Sequence, residues 1–394
     1  MRFQEKETKL TLWRMFRSLL GAVCLLLLSS AAFAQTDLSA YGEMSAAELQ
    51  TLADGGDMHA VFTQGYNLIF DDVMNLRTDP DFETAKTLLE KAHAGGHDSA
   101  NSILMLYYQG EFRQTPDLDK LETMLFTSAE RGSAIAKLNY AHRFIQSETT
   151  EKSKRALQYL KEASEDDVVR ENAYPFLIET LYGANFETHQ DWPLAREKAA
   201  ECAGLWPDDA YCHYILARDF ANGWGGEADL SKSDFHFLKA AEAGDARAQW
   251  QVGMYFLNGE RVEKNEKAAF EWVKKSAKQD YLNGLISFAV MNALGQGTDI
   301  DTAAAFKAYE TAASLGSGHA IRGLGSMYCA GEAPKTDKNL CAAALILAFE
   351  MDDDQAPALL NHFFEITDQA GFDQLKKKTA PQRATLIGRY NIQL

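Results

Sequence analysis

Basic residues are scarce in this sequence. The 394 residues include 39 Lys and Arg against 56 Asp and Glu, which gives a formal net charge of −17 at pH 7. Proteins that bind the phosphate backbone of nucleic acids, or the surface of an anionic membrane, need a basic patch. We therefore expect neither of these partners. A basic protein surface would be attracted to the chain, although acidic residues also serve solubility alone.

Signatures of catalysis are missing as well. The sequence contains no Gly-x-Ser-x-Gly motif, no phosphate-binding loop and no glycine-rich dinucleotide fingerprint. Cys202, Cys212 and His213 could in principle hold a metal, but their spacing matches no common zinc arrangement and no fourth ligand is obvious nearby. We expect no metal, no cofactor and no catalytic residues, and hence a protein that is not an enzyme.

The sequence also lacks an apolar run of comfortable membrane-spanning length. The apolar stretch at residues 19–28 is short, whereas a spanning helix needs about 20 such residues. Arg17 precedes the stretch, and the small residues Ala32 and Ala34 follow it. A positive charge, a short apolar region and a small-x-small site are typical, in this order, of a secretory signal peptide. We predict that residues 1–34 form such a peptide.

Cleavage of this segment would define the mature protein and its compartment. Both Met1 and Met15 are compatible with the start of translation. The segment holds five basic and two acidic residues, so its removal leaves 34 Lys and Arg against 54 Asp and Glu, a formal charge of −20. No Cys follows the small residues, so we expect no lipid anchor. We expect a periplasmic or secreted protein without a membrane span after cleavage; the alternative is an uncleaved N-terminal anchor.

The last third of the chain has a clear pattern, a repeat of 36 residues. Glycines, small residues and acidic or amide residues each recur at their own position in the repeat. Such self-similarity is typical of stacked supersecondary units rather than of one globular core. The four series are Gly244, Asp280, Gly316 and Asp352; Ala248, Gly284, Ala320 and Ala356; Gly259, Gly295 and Gly331; and Asn265, Asp301 and Asp337.

Residues 244–280 show what each repeat builds. Ala248 and Val252 have helical spacing and predict an amphipathic first helix. Gly259 ends this helix, because glycine tolerates the left-handed conformation that helix C-termini often need. Asn265 then stands where an N-cap would start a second helix. Neither helix could bury its apolar face alone, so the pattern predicts an all-α fold, an α-solenoid of stacked antiparallel helix pairs.

The period continues upstream in a looser form. Glycines recur there at spacings of 36, 40 or 72 residues, and we count about eight helix pairs over residues 45–356. Ser45 and Glu48 form a capping-box pattern that would open the array. The domain prediction is therefore a repeat array over residues 35–356 and terminal capping helices over residues 357–394.

The repeats carry a resemblance to a known family. The segment 259–268, GERVEKNEKA, is followed by Trp272 and resembles the Sel1-like repeat, a tetratricopeptide-related unit. That family starts its second helix with Asp-x-x-Lys-Ala and continues through Trp. Arg261 stands where the family has a second Gly, but Gly295 and Gly297 restore the pattern one unit later.

This resemblance is strong over residues 239–352, fair over 45–145 and poor over 150–225. It implies a superhelical protein-interaction scaffold, often outside the cytoplasm, in a family without shared catalytic residues. We therefore expect an exported scaffold or regulator in the bacterial envelope that binds a partner protein along its concave face. The alternative is a protein that binds or hydrolyses cell-wall glycan or β-lactams, as cysteine-rich members of the family suggest.

Four cysteines remain after the predicted cleavage. The cysteine-rich secreted branch of the family staples its helices with disulfides. By this resemblance, and because each pair lies close in the sequence, we favour Cys202 with Cys212 and Cys329 with Cys341 among the three possible pairings. Four buried free thiols are the alternative.

One tryptophan lies in a setting where it could bind a partner. Trp224 belongs to Asn222-Gly-Trp-Gly-Gly, a glycine-rich loop between two predicted helices, where a large ring is hard to bury. We predict Trp224 as a recognition residue; a cap on the neighbouring loop is the alternative. Tyr211 and His213 would join it if the site were a pocket for a glycan or small molecule. Trp250 could belong to either the core or a groove.

Overall fold

The computed structural model consists of α-helices joined by short turns. Twenty helices of nine or more residues and one small ribbon are found among the described residues. The chain divides into two compact units, unit 1 up to Lys198 and unit 2 from Ala199. The predicted signal peptide, residues 1–34, lies outside the described residues. These are 41–42, 44–72, 75–112, 115–147, 150–183, 189–334 and 337–393.

Within the described residues, unit 1 contains eight helices and the first half of a ninth, which continues into unit 2 after Lys198. A two-stranded antiparallel ribbon, β1 (Phe70–Asp72) and β2 (Asn75–Leu76), interrupts the helices and was not predicted. The helices are α1 (Ala46–Asp54), α2 (Met58–Ile69), α3 (Phe82–Ala94), α4 (Ser99–Gln109), α5 (Leu118–Glu130), α6 (Ala134–Phe144), α7 (Thr150–Ser164), α8 (Arg170–Leu181) and α9 (Trp192–Leu205).

Unit 2 contains four helix pairs and three further helices. The pairs are α10 (Ala210–Asn222) with α11 (Leu230–Glu242), α12 (Ala246–Asn258) with α13 (Glu266–Ala277), α14 (Leu282–Leu294) with α15 (Thr302–Ser314), and α16 (Gly318–Ala330) with α17 (Lys338–Glu350). The C-terminal helices are α18 (Ala356–Phe364), α19 (Gln369–Lys378) and α20 (Ala380–Tyr390).

Side-chain caps begin the second helix of every pair in unit 2. The side chain of Asn265 accepts a hydrogen bond from the backbone N–H of Ala268, which satisfies one of the free amides of α13. Asp301 and Asp337, the next members of the same series, do the same for α15 and α17, and Asp229 does so for α11. Capping therefore fixes where each second helix begins.

Left-handed residues end each first helix and close each repeat. Gly259, Gly295 and Gly331 follow α12, α14 and α16 with φ of 70°, 69° and 78°. At the junction between repeats, Gly316 has φ 84°, and Asp280 adopts the same region at 55° although it carries a Cβ. The 36-residue glycine series thus marks backbone geometry, and the predicted α-solenoid of antiparallel helix pairs is confirmed.

Small residues let adjacent pairs approach closely. Ala248 and Ala320 are fully buried, and Gly284 takes the equivalent place in α14. A Cβ on Gly284 would lie 2.4 Å from the Ser276 hydroxyl oxygen, which itself donates to the Ala246 carbonyl. Since Ser276 occupies that space, only glycine fits at this repeat.

The C-terminal helices cover the end of the array. Glu350 of α17 binds Lys376 of α19 at 2.7 Å and also Arg383 of α20. The Tyr390 hydroxyl donates to Glu310 of α15 at 3.1 Å. These bonds attach α19 and α20 to the last repeats. No helix in the described part of the chain has both the length and the apolar character needed to cross a bilayer.

Candidate functional site: an arginine–aromatic surface on the first helices

Two disulfides stabilise unit 2. Cys202 is bonded to Cys212, which ties the end of α9 to the first turn of α10, with Cα atoms 5.8 Å apart. Cys329 is bonded to Cys341 across the α16–α17 hairpin, with Cα atoms 5.1 Å apart. Both are the local pairings that the sequence favoured. Asp209 lies beside the first disulfide and caps α10 through the N–H of Cys212.

His213 lies inside the protein, next to this disulfide. Its side chain is 6% exposed, and Nε2 lies 2.8 Å from the Pro207 carbonyl oxygen. A carbonyl only accepts, so Nε2 carries the hydrogen and Nδ1 accepts from His236 Nδ1 at 2.9 Å. Burial, and then the neighbouring His213, lower the pKa of His236 to about 4. Both nitrogens of His213 are thus engaged inside the fold.

Trp224 is half-buried in the loop that follows α10. Its backbone N–H donates to the Asp219 carbonyl at 3.0 Å, which fixes the loop. The guanidinium of Arg218 lies 4.7 Å from the centre of the indole ring. The ring therefore forms a cation–π contact and keeps part of its surface in contact with solvent. Its role in recognition stays a prediction.

Tyr214, one turn before Arg218 on α10, is the centre of a larger cluster. The guanidinium of Arg218 lies 5.8 Å from the Tyr214 ring, and that of Arg247, on α12, lies 3.7 Å from it. Arg247 is also paired with Asp245, the N-cap of α12, with a shortest N–O distance of 2.6 Å. The pairing with Asp245 raises the pKa of Arg247 against the opposing effect of burial.

Trp250 extends the cluster to the next repeat. Its Nε1–H donates to the Ser287 hydroxyl of α14 at 3.0 Å, so its polar atom is satisfied and its position is fixed. The ring meets Tyr281, the N-cap of α14, edge to face at 6.2 Å. Burial, followed by the nearby Tyr214, raises the pKa of Tyr281.

These half-buried side chains form one continuous surface on three successive first helices. Tyr211 lies one turn before Tyr214 on α10, so it belongs to the same face. We name the Arg–aromatic surface after its members, which are Tyr211, Tyr214, Arg218 and Trp224 from α10 and its loop, Arg247 and Trp250 from α12, and Tyr281 before α14.

The sequence alone pointed to only part of this surface. Trp224, Tyr211 and the undecided Trp250 belong to it, whereas His213 lies inside the fold. Tyr214 and Arg247 were missed, although a signal exists. Tyr214 and Trp250 are 36 residues apart, and so are Tyr211 and Arg247. The repeat period thus places these four residues at two equivalent, non-core positions of neighbouring first helices.

A serine–histidine contact in unit 1 has a structural role. Ser153 lies 2.5 Å from His189 Nε2 and 2.6 Å from the Ile145 carbonyl oxygen. The carbonyl only accepts, so the hydroxyl donates to it and His189 donates to the hydroxyl. His189 therefore cannot act as the base that a serine nucleophile needs.

Comparisons with known proteins agree with the geometry of the repeats. The Sel1 repeat family model matches residues 210–245, 246–281 and 289–317. A crystal structure of a Sel1 repeat protein from Oxalobacter formigenes is similar with a TM-score of 0.63 at 20% identity, covering 80% of this chain and 89% of that one. The chain therefore carries Sel1 repeats, and the first two contain the Arg–aromatic surface.

Two further proteins are similar to this chain. The structure of a protective antigen of uropathogenic Escherichia coli that displays an SLR fold gives a TM-score of 0.53 at 18% identity, covering 87% of this chain and 85% of that one. An uncharacterized protein of Neisseria meningitidis serogroup B is 27% identical over 202 residues, which are 51% of this chain. The match spans 40% of the length of that relative.

Proposed function

We propose that the protein is an exported scaffold that binds another protein through the Arg–aromatic surface. The observation that carries this proposal is the arrangement of five aromatic rings and two arginines, half-buried, on successive first helices. Tyr, Trp and Arg are the residues that contribute most binding energy at protein interfaces. Repeat proteins also present such side chains on extended faces.

Existing bonds hold this surface in place before any partner arrives. Asp245 holds Arg247, Ser287 holds Trp250, and Arg218 stacks on Trp224. Side chains that are already ordered lose little conformational entropy on binding, so more of the contact energy becomes affinity. The surface is therefore suited to recognition as it stands.

Export is supported by the sequence and by the cysteines. The predicted signal peptide at residues 1–34 would direct the chain out of the cytoplasm. The two disulfides of unit 2 are typical of proteins that fold in an oxidising compartment. We propose the periplasm, or secretion, as the location.

The alternative of a protein that binds or hydrolyses cell-wall glycan or β-lactams receives less support. It required Trp224, Tyr211 and His213 to line one pocket, yet His213 is buried with both ring nitrogens bonded. We therefore prefer the protein scaffold.

Site-specific crosslinking in cells tests the proposal. A photo-crosslinking amino acid would replace Tyr211 in the Arg–aromatic surface or, as a matched control, Phe235, which is 55% exposed on α11. We expect one dominant crosslinked protein from the first position and none from the control. Recovery of no protein above background, or of the same proteins from both positions, would contradict the proposal.

A further inference from the structure

We propose that the Arg–aromatic surface recognises an acidic side chain, Asp or Glu, within an extended peptide segment that has large apolar residues on both sides. This inference rests on the proposed function and adds the chemistry of the partner. Its central residue is Arg247, whose guanidinium lies between the rings of α10 and those nearer α14.

Arg247 keeps hydrogen-bonding capacity after its bonds within the protein. Its Nε and Nη2 donate to Asp245, at distances from 2.6 to 3.3 Å. Those bonds use two of the five N–H donors of an arginine. Nη1 has no hydrogen bond to the described residues, and the side chain remains 38% exposed. Arg247 is therefore held rigidly while its Nη1 group is left for an additional acceptor.

The charge at this point favours an anion. The guanidinium groups of Arg218 and Arg247 both approach the Tyr214 ring, at 5.8 and 3.7 Å. Asp245 offsets the charge of Arg247, and Arg218 adds a second positive charge to the same face. A carboxylate is the acceptor that matches a guanidinium best, since it forms charge-assisted and often bidentate hydrogen bonds.

The position of Arg247 indicates an internal acidic residue rather than a chain terminus. Tyr214 and Trp224 lie on the α10 side of it, and Trp250 and Tyr281 extend towards α14. A peptide whose carboxylate meets Arg247 can thus contact rings both before and after that residue. A C-terminal carboxylate would leave one of the two groups of rings without a partner.

The net charge of the chain restricts the partner further. The formal charge of −17 repels polyanions at long range. A segment with one carboxylate among apolar residues avoids this repulsion and still satisfies the arginines. This reasoning selects an apolar–acidic–apolar peptide and disfavours strongly acidic tracts.

A peptide-display selection tests the inference. Random 12-residue peptides, displayed with both ends linked to the carrier, would be selected on the full-length protein. The same selection would be run on Arg247→Gln and on Arg261→Gln. Arg261 is a matched control, because it also stacks on a tyrosine, Tyr255 at 5.0 Å, and pairs with an aspartate, Asp234 at 2.5 Å. It lies outside the Arg–aromatic surface.

We expect the selected peptides to share one Asp or Glu between aromatic or large aliphatic residues. Their affinity, measured with synthetic peptides blocked at both ends, should fall at least about tenfold for Arg247→Gln and for a Glu-to-Gln peptide, because a charge-assisted hydrogen bond is lost. Arg261→Gln should bind as the unchanged protein does. Thermal melting of both variants reports whether they fold.

Other results would overturn the inference in recognisable ways. Enrichment of basic peptides, tighter binding of peptides with a free C-terminus, or equal affinity for Arg247→Gln would each exclude recognition of an internal carboxylate. If the peptides selected in any of these cases still required Trp250 for binding, the scaffold proposal would survive while this inference failed. A selection that enriches no peptide also overturns the inference, and crosslinking from the Tyr211 position decides the scaffold proposal separately.

Discussion

Units 1 and 2 contain contrasting groups of tyrosines. In unit 1, Tyr107, Tyr108 and Tyr159 are at most 5% exposed, and each hydroxyl donates to a glutamate of a neighbouring helix: Glu83, Glu90 and Glu130. Burial, and then Glu83, raise the pKa of Tyr107 to about 12. In unit 2, Tyr211, Tyr214 and Tyr281 remain half-buried beside arginines. Tyrosine thus holds helices together in unit 1, whereas in unit 2 it does so at Tyr390 and also forms part of the Arg–aromatic surface.

The two units also differ in how they are crosslinked. Unit 2 contains both disulfides, whereas residues 35–198 contain no cysteine. Unit 1 is therefore stabilised without disulfides, by packing, hydrogen bonds and ion pairs such as Lys137 with Glu162. Measurements that resolve the two units, such as hydrogen exchange followed by mass spectrometry, can test both differences.

The largest expected effect is the loss of both disulfides. Replacing all four cysteines with serine should destabilise unit 2 by about 5 kcal/mol, since closing loops of this length typically contributes about 2–3 kcal/mol each. Hydrogen exchange should accelerate in unit 2 and stay unchanged in unit 1. Equal acceleration in both units would show that they unfold together, and the comparison would fail.

Removing one aromatic side chain from each unit tests the contrast directly. Tyr159→Ala should cost about 4 kcal/mol, because the ring is 3% exposed and leaves a cavity. Trp250→Ala should cost about 1 kcal/mol, because that ring is only partly buried. Denaturant unfolding measures both values. A cost for Trp250→Ala as large as that for Tyr159→Ala would identify Trp250 as core and contradict its place on a binding surface.

Two glycines separate backbone strain from steric overlap within unit 2. Gly297 and Gly316 both have positive φ, 71° and 84°. A Cβ at Gly297 would lie 2.0 Å from the Glu266 carbonyl oxygen, whereas one at Gly316 would meet nothing within 4 Å. Gly297→Ala should cost about 3 kcal/mol and Gly316→Ala about 1 kcal/mol in thermal unfolding. Equal costs would show that the loop around Gly297 moves away from Glu266 without a large loss of stability.

The smallest expected effect concerns acid. His97 in unit 1 and His236 in unit 2 each contact a second histidine, and burial lowers both pKa values to about 4. In the unfolded chain these histidines bind a proton near pH 6.5. The stability that they contribute by staying neutral is therefore fully present above that pH, and it is lost as the pH falls towards 4.

Thermal unfolding of His236→Asn, compared between pH 7 and pH 5, checks this effect. Its amide can still donate to His213, and the variant should lose about 2–4 °C less than the unchanged protein on acidification. A variant with the same pH dependence as the unchanged protein would show that His236 does not contribute to it. The corresponding change at His97 would report on unit 1.

Helix caps and helix ends were predictable from the sequence, whereas features that depend on contacts between distant residues were harder to predict. The caps at Asn265 and Asp301 and the helix end at Gly259 follow from the residue and its immediate neighbours. The burial of His213 depends on Pro207 and on His236, which is 23 residues away. The ribbon at residues 70–76 likewise had no repeating signal. Tyr214 and Arg247 could have been predicted, because each lies one 36-residue period from a residue that the sequence did indicate, Trp250 and Tyr211 respectively.

The repeat junctions have a consequence for how such a chain can change in length. Gly244, Asp280, Gly316 and Asp352 all adopt the left-handed conformation at equivalent positions. One repeat can therefore follow another without a new type of joint. Duplication of residues 245–280 would copy Arg247 and Trp250 together with the helices that present them. In this protein a gene duplication of 36 codons would thus lengthen the array and enlarge its recognition surface at the same time.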